Sequence, residues 1–323
     1  MRVVVTGGAG FIGRAIVERL ASRGDNIVAL VRDPRRAKHI ERAIVELVPS
    51  DLANQSELAS AMTGANAVIH GAGSYKIGIP LSERPAMRDA NVGATKRVLD
   101  AAIAAGVPRI VYVSTNNVFG DTHGQVVDET YRRNLAEGFL SFYDETKFRA
   151  HEEAELRIAN AAPIVIVQPG QTYGPHDHSL ASGQLESAHH GTLRYIAFPA
   201  TGLAWVHVHD LADGILAALD RGRVGEAYSI GGDVLRMAEA LAIAAKVGGR
   251  RPPALRVPIG LLKLMAPMND RLGGLPGFPP NLAETIRASG NVTYWANHDK
   301  ATRELGFDPR GLEQGVADTW GRA

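Results

Sequence analysis

The segment Val3-Val4-Val5-Thr6-Gly7-Gly8-Ala9-Gly10-Phe11-Ile12-Gly13 decides the fold of this chain. Its three consecutive β-branched residues are typical of a buried strand. The apolar spacing over residues 11–20 predicts a helix directly after the glycine turn. Glycines at this spacing permit a tight turn, a close approach of the backbone to a pyrophosphate, and close packing of helix on strand. The pattern therefore predicts a dinucleotide-binding strand–turn–helix unit.

The first turn of that helix is the candidate phosphate site. The N–H groups of Phe11, Ile12 and Gly13 begin a helix and lack intrahelical acceptors, and the helix dipole favours an anion there. A merely flexible glycine loop is the alternative. The strand before the glycines and the helix after them are the context that a dinucleotide site requires. We therefore expect Gly7, Gly10 and these three residues to bind a cofactor.

Strand and helix patterns alternate as far as residue 170. Further strands are predicted at 26–31, 43–48, 66–70, 109–113 and 163–167, and helices at 55–62, 90–105 and 141–160. Such alternation is typical of right-handed βαβ units around a parallel sheet. The fold is therefore predicted to be α/β, with a doubly wound parallel Rossmann sheet.

The pattern becomes less regular after residue 170. Later elements are predicted as strands at 205–208 and 226–230, and as helices at 209–221, 235–247, 259–266 and 311–322. We expect a dinucleotide-binding Rossmann domain of residues 1–170 with 203–232, and a smaller C-terminal substrate-binding lobe of residues 171–202 with 233–323. Segment 74–88 is predicted to be an irregular loop beside the ligand crevice. Segment 273–280 is predicted to be a lid or linker.

The composition excludes several classes of protein. The chain has 323 residues, a formal net charge of +1 and no cysteine. The lack of cysteine excludes disulfides, thiol catalysis and cysteine zinc sites, and the balanced charge argues against a nucleic-acid partner. The sequence enters a strand directly and has no run of about 18 uncharged apolar residues. We expect a cytoplasmic protein without a membrane partner.

The end of the second predicted strand bears on the choice of cofactor. In a dinucleotide fold this position contacts the adenosine ribose, and an acidic residue there favours the free hydroxyl of NAD. Here Arg32 follows the strand and Arg35 lies close by. Guanidinium groups suit a phosphate, so these residues favour NADP (NADPH) over NAD. Asp33, as an acidic residue, instead favours NAD. The alternative is that both arginines are solvated surface charges.

Two further strand ends supply candidate cofactor contacts. Asp51 and Leu52 follow the third strand, where the carboxylate would accept from the adenine amino group or would instead cap the next helix. Ala72 and Gly73 follow the fourth strand. Residues as small as alanine and glycine would let a cofactor lie against the strand end.

Tyr143 and Lys147 form the candidate catalytic pair. At positions i and i+4 of a predicted helix, both side chains lie on one face. A neighbouring ammonium favours the phenolate and lowers the tyrosine pKa, so that the tyrosine exchanges a proton with a carbonyl or alcohol near neutral pH. An ordinary surface pair is the alternative.

Hydroxyl groups follow the fifth strand. Thr115 is the candidate to hold the substrate oxygen, and Ser114 is the alternative donor and a candidate cofactor contact. Turn formation alone would also explain such residues.

The histidines do not predict a metal site. His207 and His209 alternate along a strand and would share a face, but no recognised ligand spacing is present. Asp210 stands where a helix is predicted to begin and would serve as its cap. We expect no bound metal.

Taken together, these motifs resemble those of the extended short-chain dehydrogenase/reductases, also called the NAD-dependent epimerase/dehydratase family. The resemblance runs over most of the chain, because several motifs occur in the family's order. They are residues 6–13, 91–95, 113–115, 118–120, 143–147, 168–170, 173–175 and 207–212. The stretches 31–34 and 225–232 are most similar to the dihydroflavonol-reductase-like branch.

The resemblance implies roles for individual residues. Tyr143 would be the general acid/base, Lys147 would also hold the nicotinamide ribose, and Thr115 would occupy the family's Ser/Thr position. Three further residues would lie near the nicotinamide: Pro169, Gly170 and Thr172. Gln168 stands where the family usually has arginine, and Phe119 where it usually has tyrosine. Both departures concern the substrate rather than the expected chemistry.

The resemblance also implies a homodimer built from the helices at 90–105 and 141–160. Small and apolar residues on these helices would pack across a four-helix interface: Ala94, Val98, Ala102, Ala150, Ala154 and Ile158.

The predicted function is hydride transfer between NADP(H) and a ketone or aldehyde and its alcohol. The alternatives are an NAD-dependent nucleotide-sugar epimerase/dehydratase and a non-catalytic dinucleotide sensor. Sugar-nucleotide members commonly carry an arginine four residues before the motif at 207–212, where this chain has Leu203. The loop at 75–88 adds only Lys76, Arg84 and Arg88, so we expect an apolar substrate without a diphosphate. Arg256 or Arg271 would be the remaining source of positive charge.

Overall fold

In residues 1–275 and 278–322, which the computed structural model describes, seven parallel strands form a central sheet. The strands are β1 (Arg2–Thr6), β2 (Asn26–Val31), β3 (Val45–Pro49), β4 (Ala67–His70), β5 (Ile110–Val113), β6 (Ile164–Pro169) and, later in the chain, β10 (Ala227–Ile230). Their spatial order is β3-β2-β1-β4-β5-β6-β10. The order reverses between β1 and β4, which is the position where doubly wound folds bind ligands. The predicted α/β fold is confirmed.

Helices cover both faces of this sheet. One face carries α1 (Phe11–Ser22), α7 (Val208–Arg221) and α11 (Asp299–Leu305), and the other carries α2 (Gln55–Met62), α4 (Ala94–Ala104) and α5 (Phe142–Ala159). Because both faces are covered, the central strands are apolar throughout rather than alternating. The three valines of β1 are fully buried.

The remaining elements form a smaller lobe around a second sheet. Its strands are β7 (Gln171–Tyr173), β9 (Gly202–His207), β11 (Asp233–Arg236) and β13 (Thr293–Tyr294), and β8 (Tyr195–Ile196) pairs separately with β12 (Leu255–Arg256). Its helices are α6 (Leu180–His189), α8 (Met237–Val247), α9 (Ile259–Arg271), α10 (Leu282–Ser289) and α12 (Leu312–Trp320). The domain division drawn from the sequence stays a prediction. However, β9 pairs within the small sheet rather than within the central one.

The segment predicted as an irregular loop at 74–88 is partly helical. Residues Leu81–Glu83 form a 3₁₀ turn and α3 (Arg84–Arg88) follows, continuing through a π-helical turn at Asp89–Gly93 into α4. Pro85 does not break this helix, because it lies in the first turn, where no backbone N–H is needed. The segment 273–280, predicted to be a lid or linker, includes residues 276–277, which lie outside the described residues.

The residues proposed for a dimer interface pack inside the chain instead. Ala94, Val98 and Ala102 of α4, and Ala150 and Ala154 of α5, are buried against the central sheet. Ile158 also packs on this core. The small side chains therefore let the helices approach their own sheet, and the five buried residues are not free to form an interface between subunits.

Candidate active site

The glycine turn between β1 and α1 is a tightly packed cradle. Gly7 has φ +74°, and a Cβ there would lie 2.7 Å from the backbone nitrogen of Ala72. A Cβ on Gly13 would collide with the carbonyl oxygen of Gly7. The Gly10 N–H donates to that same carbonyl oxygen at 2.9 Å. Side chains at positions 7 and 13 would therefore disrupt the turn.

The first turn of α1 is open to an anion. Gly10 caps the helix without any side-chain hydrogen bond, and the first turn contains no acidic residue. The N–H groups of Phe11, Ile12 and Gly13 begin the helix and are left without intrahelical acceptors. The positive end of the helix dipole and these N–H groups fit the pyrophosphate of a dinucleotide.

The arginines after β2 differ in their surroundings. Arg32 is exposed, and it makes no ion pair within residues 1–275 and 278–322. Arg35 is also exposed, and its Nε donates to Asp33 Oδ1 at 3.3 Å. The Asp33 carboxylate also accepts from the Arg35 N–H at 3.0 Å. Asp33 is therefore engaged locally, while Arg32 is available to a ligand.

The residues after β3 differ from the prediction in which of them caps α2. Asp51 accepts from the Ala53 N–H at 2.9 Å, while the cap of α2 is Asn54, whose side chain accepts from two N–H groups of the first turn. Leu52 adopts φ +65°, and its carbonyl accepts from Arg97 Nε at 2.6 Å. The capping role considered for Asp51 is therefore wrong, because Asn54 lies closer to the helix start.

The strand ends beside β1 carry the other predicted cofactor contacts. The Ala72 N–H donates to Thr6 Oγ1 at 3.3 Å, and Gly73 follows directly. On the far side of β5, the Gly170 N–H donates to the carbonyl oxygen of Ile230 at 3.1 Å. These contacts hold the carboxyl ends of adjacent strands together along one edge of the sheet.

Pro169 and Thr172 lie on either side of the boundary between the two sheets. Pro169 is the last residue of β6, in the central sheet, while Thr172 is buried on β7, in the small sheet. The chain thus leaves the central sheet at Pro169 and enters the small sheet at Gln171, next to the residues predicted to lie near the nicotinamide.

Tyr143 and Lys147 lie one turn apart on α5, which begins at a hydroxyl cap. Ser141 Oγ accepts from the Asp144 N–H at 3.1 Å. Both Tyr143 and Lys147 are buried. Burial raises the pKa of Tyr143, and the neighbouring Tyr75 adds to the effect. The predicted lowering by Lys147 is therefore not what this structure shows, because burial of the phenolate outweighs the other influences.

Lys147 is held by the end of β5. Its Nζ donates to the carbonyl oxygen of Val113 at 3.2 Å and lies 5.4 Å from the ring centre of Tyr112. Burial lowers the pKa of Lys147 to about 8. The lysine is therefore close to its titration point near neutral pH.

Thr115 and Ser114 both face α5. The Thr115 hydroxyl lowers the pKa of Tyr143, against the larger effect of burial. The same hydroxyl donates to Asn117 Oδ1 at 3.1 Å. Ser114 Oγ instead hydrogen-bonds His151 Nδ1 at 2.9 Å. The structure thus brings Thr115, rather than Ser114, to the catalytic pair.

His151 is a residue that the sequence reasoning missed. It lies eight residues after Tyr143 and four after Lys147, so all three side chains follow one line along α5. It is buried and holds the Ser114 side chain at the end of β5. Extending the i, i+4 spacing by one more turn was the signal that could have found it.

Asn91 is a second residue that was missed. It lies in the π-helical turn at Asp89–Gly93, a feature that is frequent at functional sites. Its Nδ2 donates to Thr146 Oγ1 at 2.9 Å and to the carbonyl oxygen of Ser74 at 3.0 Å. Its Oδ1 accepts from the Ser74 N–H at 2.6 Å. Asn91 therefore ties the strand end after β4 to the catalytic helix.

His70 completes the buried contacts beneath the site. Its Nδ1 hydrogen-bonds Thr6 Oγ1 at 2.7 Å and its Nε2 hydrogen-bonds Thr95 Oγ1 at 3.0 Å. Burial lowers the pKa of His70 to about 3, with Lys147 adding to the shift. The imidazole is therefore neutral near neutral pH and joins β1, β4 and α4.

The surroundings of Tyr143 are largely apolar. Tyr143 packs in a cluster with Ile79, Met87 and Phe142. The ring of Tyr75 meets it edge-on, with centroids 4.8 Å apart.

The three cations of loop 75–88 are each paired with a carboxylate. Lys76 pairs with Glu83 at 3.1 Å, and Arg88 pairs with Glu145 at 3.2 Å. Arg84 pairs with a glutamate from the small lobe. Positive charge on this segment is therefore already neutralised.

That glutamate, Glu284 on α10, connects the small lobe to the catalytic helix. Its carboxylate accepts from Arg84 Nη2 at 3.0 Å and from the N–H of Phe142, the first residue of α5, also at 3.0 Å. The Glu284 side chain is only 1% exposed. A buried carboxylate from the small lobe thus satisfies the start of the helix that carries Tyr143.

The histidines do not come together as a metal centre. Within the described part of the chain, no group of three or more His, Asp or Glu side chains is arranged to hold a metal ion. His207 Nδ1 accepts from the His209 N–H at 3.3 Å and caps α7. Asp210, predicted to be that cap, instead pairs with Arg310 at 2.8 Å. The cap thus lies three residues earlier than expected.

Comparison with known proteins identifies the family to which the chain belongs. The profile of the NAD dependent epimerase/dehydratase family matches residues 3–231. A Synechocystis protein with the provisional name dihydroflavonol 4-reductase is 29% identical over 326 residues, covering 97% of this chain and 92% of its own length. The 4-hydroxy-2-methyl-3-oxo-4-farnesyl-3,4-dihydroquinoline-1-oxide ketoreductase of Stigmatella aurantiaca is 27% identical, covering 97% of this chain and 94% of its own length.

Solved structures show the same fold. The crystal structure of gox2253 superposes with a TM-score of 0.83 at 30% identity, covering 98% of this chain and 96% of that chain. MoeE5 in complex with UDP-glucose and NAD superposes with a TM-score of 0.76 at 25% identity and the same coverage. The chain belongs to the NAD-dependent epimerase/dehydratase family, the extended short-chain dehydrogenase/reductases. It is thus a member of a family of NAD(P)-dependent oxidoreductases and epimerases.

No helix among residues 1–275 and 278–322 combines the length and the apolar character needed to cross a membrane.

Proposed function

We propose that this protein is an NADP(H)-dependent carbonyl reductase in which Tyr143 is the general acid/base. The observation that carries the proposal is the grouping of Tyr143, Thr115 and Lys147 in a buried site at the strand edge that also bears the glycine cradle. A proton-transfer group, a second hydroxyl and a cation are the parts that carbonyl reduction needs from the protein.

Tyr143 would exchange a proton with the substrate oxygen. The cofactor, when bound, supplies or accepts the hydride. Thr115, whose hydroxyl lowers the pKa of Tyr143, would hold the same substrate oxygen. Because burial raises the pKa of Tyr143, the tyrosine is protonated in the free protein and is ready to act as an acid in the reducing direction.

Lys147 would stabilise the phenolate that Tyr143 becomes after it has donated its proton to the substrate. Its ammonium group lies on the same face of α5 as the tyrosine, and its contact with the Val113 carbonyl fixes its position. The loss of its charge near pH 8 would weaken this support at alkaline pH. We also propose that Lys147 binds the nicotinamide ribose.

The chain's own residues fit a dinucleotide. The open N–H groups of α1 and the cradle around Gly7 and Gly13 would hold the pyrophosphate. Arg32, exposed at the end of β2, would bind the extra phosphate that distinguishes NADP from NAD. The engagement of Asp33 with Arg35 supports this preference, because it occupies the only carboxylate among residues 31–36.

Three groups of residues complete the proposed cofactor site. Asp51 and Leu52 would contact the adenine, and Ala72, Gly73 and Ser114 would line the path between the two halves of the cofactor. Near the nicotinamide would lie Pro169, Gly170 and Thr172.

The substrate proposed for this site is an apolar ketone or aldehyde. The cluster of Ile79, Met87 and Phe142 around Tyr143 favours hydrocarbon over charge. A relative whose name describes a farnesyl-bearing ketoreductase substrate agrees with this choice. A nucleotide sugar would need cations for its diphosphate, and the cations of loop 75–88 are already paired.

The position that carries an arginine in sugar-nucleotide members also lacks charge. Leu203 occupies it and packs with the apolar core of the small lobe. Arg256 and Arg271, the remaining candidates, are exposed on the surface of that lobe.

The test combines turnover with ligand binding. The purified protein is assayed with NADPH and with NADH against a panel of apolar ketones and aldehydes, and UDP-glucose is titrated by calorimetry. We expect turnover with a higher kcat/KM for NADPH, and UDP-glucose binding weaker than about 100 μM. Tighter binding of UDP-glucose would establish the nucleotide-sugar alternative. Tight NADPH binding without turnover of any substrate would establish the sensor alternative.

A further inference from the structure

A stripe of exposed apolar side chains runs along α9 in the small lobe. Leu261, Leu264, Met268 and Leu272 recur at three- and four-residue intervals, so they lie on one side of the helix. Leu264 is 78% exposed and Leu272 is 63% exposed. The opposite side of α9 packs on α10 through Leu262 and Ala266. The exposed stripe therefore takes no part in the packing of α9 on α10.

Exposed cations lie in the same segment of the chain as this stripe. Five basic residues lie in the segment 250–272 and are exposed: Arg250, Arg251, Arg256, Lys263 and Arg271. None of the five forms an ion pair with another residue in the described part of the chain. The single acidic residue of the segment, Asp270, turns inward, where its carboxylate accepts from the N–H groups of Leu282 and Ala283 at 2.6 and 3.2 Å. The segment thus carries both an exposed apolar stripe and exposed positive charge, although the whole chain carries a net charge of only +1.

We propose that segment 250–272 is a peripheral binding surface for an anionic phospholipid bilayer. Leucine and methionine side chains would enter the boundary between headgroups and acyl chains, while exposed cations of the segment, such as Arg271 at the end of the stripe, contact lipid phosphates. A helix of 13 residues is about 20 Å long and would lie in the plane of the interface rather than cross it.

Charge favours a bilayer over a second copy of the chain. A twofold contact through this face would bring like-charged groups together, because the same patch lies on both sides of a symmetric interface. An anionic lipid surface instead attracts the cations of the segment and accepts the apolar stripe. A membrane would thus be a partner of this protein, whereas the sequence analysis expected none.

Vesicle co-sedimentation tests the proposal without any assay of activity. The full-length protein is mixed with vesicles of equal parts phosphatidylglycerol and phosphatidylcholine, or with vesicles of phosphatidylcholine alone. We expect binding to the anionic vesicles that weakens as salt is raised, and much weaker binding to the neutral ones. Leu264→Glu should lower the partition coefficient at least about tenfold, and Arg271→Glu at least about fivefold, since one cation contributes about 1 kcal/mol near such a surface.

Matched substitutions elsewhere serve as controls. Leu135→Glu and Arg303→Glu change exposed residues of the same types outside the segment and should leave binding unchanged. Thermal unfolding of every variant checks that the fold is intact. Failure of the wild-type protein to bind anionic vesicles would overturn the proposal, as would equal binding by Leu264→Glu. A wild-type oligomer that Leu264→Glu dissociates would also overturn it, by showing that the face joins two copies.

Discussion

Burial changes the acid–base chemistry of the two candidate catalytic side chains in opposite directions. It raises the pKa of Tyr143 and lowers the pKa of Lys147 to about 8. In both cases the neutral form gains, because a buried charge loses its hydration. The pair is therefore set up to be uncharged in the free protein at alkaline pH, and any ligand that adds charge to the site would alter both groups.

Tyr143→Phe tests the acid/base assignment most directly. The change removes one hydroxyl and keeps the ring that packs with Ile79 and Met87. We expect turnover to fall by at least about 100-fold with the fold preserved, measured by steady-state kinetics and circular dichroism. Tyr195→Phe, at an exposed position of the small lobe, is the control and should keep full activity. Turnover near the wild-type value in Tyr143→Phe would refute the assignment.

The pKa of Lys147 predicts a pH dependence of stability. The folded value is about 8 and the ordinary value is 10.5, so between these pH values the unfolded chain binds more protons than the folded one. Stability then rises with pH across this interval. Relative to Lys147→Met, which cannot titrate, the wild-type free energy of unfolding should therefore increase from pH 8 to 10.5. Urea denaturation across this range measures it, and a constant difference would contradict the prediction.

Arg32→Glu tests the cofactor preference. A carboxylate at this exposed position would repel the extra phosphate of NADP and accept from the ribose hydroxyl of NAD. We expect the ratio of kcat/KM for NADPH over NADH to fall at least about tenfold, since a charge-assisted hydrogen bond is worth about 1.5–3 kcal/mol. Arg303→Glu, an equal change of charge on α11, should leave the ratio unaltered.

At the scale of elements, α5 is positioned from three directions. Asn91 of the π-helical turn holds Thr146, the end of β5 holds Lys147, and Glu284 of α10 holds the N–H of Phe142. Each contact comes from a different part of the chain. Small displacements of α10 would thus be transmitted to the turn that carries Tyr143.

Glu284→Ala tests this coupling between the small lobe and the catalytic helix. It leaves the Phe142 N–H without its acceptor, while Arg84, whose side chain is 31% exposed, is partly rehydrated. We expect a loss of about 2 kcal/mol in the free energy of unfolding and a lower kcat with a smaller change in KM for the cofactor. Glu284→Gln keeps an acceptor oxygen and should recover most of kcat. Equal kcat in the wild type and Glu284→Ala would show that the contact serves stability alone.

At the scale of the whole molecule, α4 and α5 each keep an exposed apolar side chain. Ile103 and Leu156 remain exposed on these helices after the small residues have packed inward. We propose a homodimer through this outer surface. Light scattering should give the mass of two chains for the wild type and of one chain for Leu156→Arg. A monomeric wild type at micromolar concentration would contradict the proposal.

The amino-acid sequence by itself determined the alternation of strands and helices along the chain and the parallel character of the central sheet. It also determined the glycine turn and the relative placement of Tyr143 and Lys147. These features depend on local spacing: β-branched runs, glycines three residues apart, and an i, i+4 pair on one helix. The helical turns at residues 81–88 were missed, because this segment was predicted to be an irregular loop; Pro85 is tolerated there since it lies in a first turn.

Only the tertiary structure decided what surrounds those residues. The contacts of His151 with Ser114, Asn91 with Thr146 and Glu284 with Phe142 join positions 37, 55 and 142 residues apart. No local pattern specifies such pairs, because they depend on how the layers pack. The direction of the Tyr143 pKa shift was predicted wrongly for the same reason. Spacing shows which groups are neighbours on a helix, whereas the pKa depends on how much water the completed fold leaves around them.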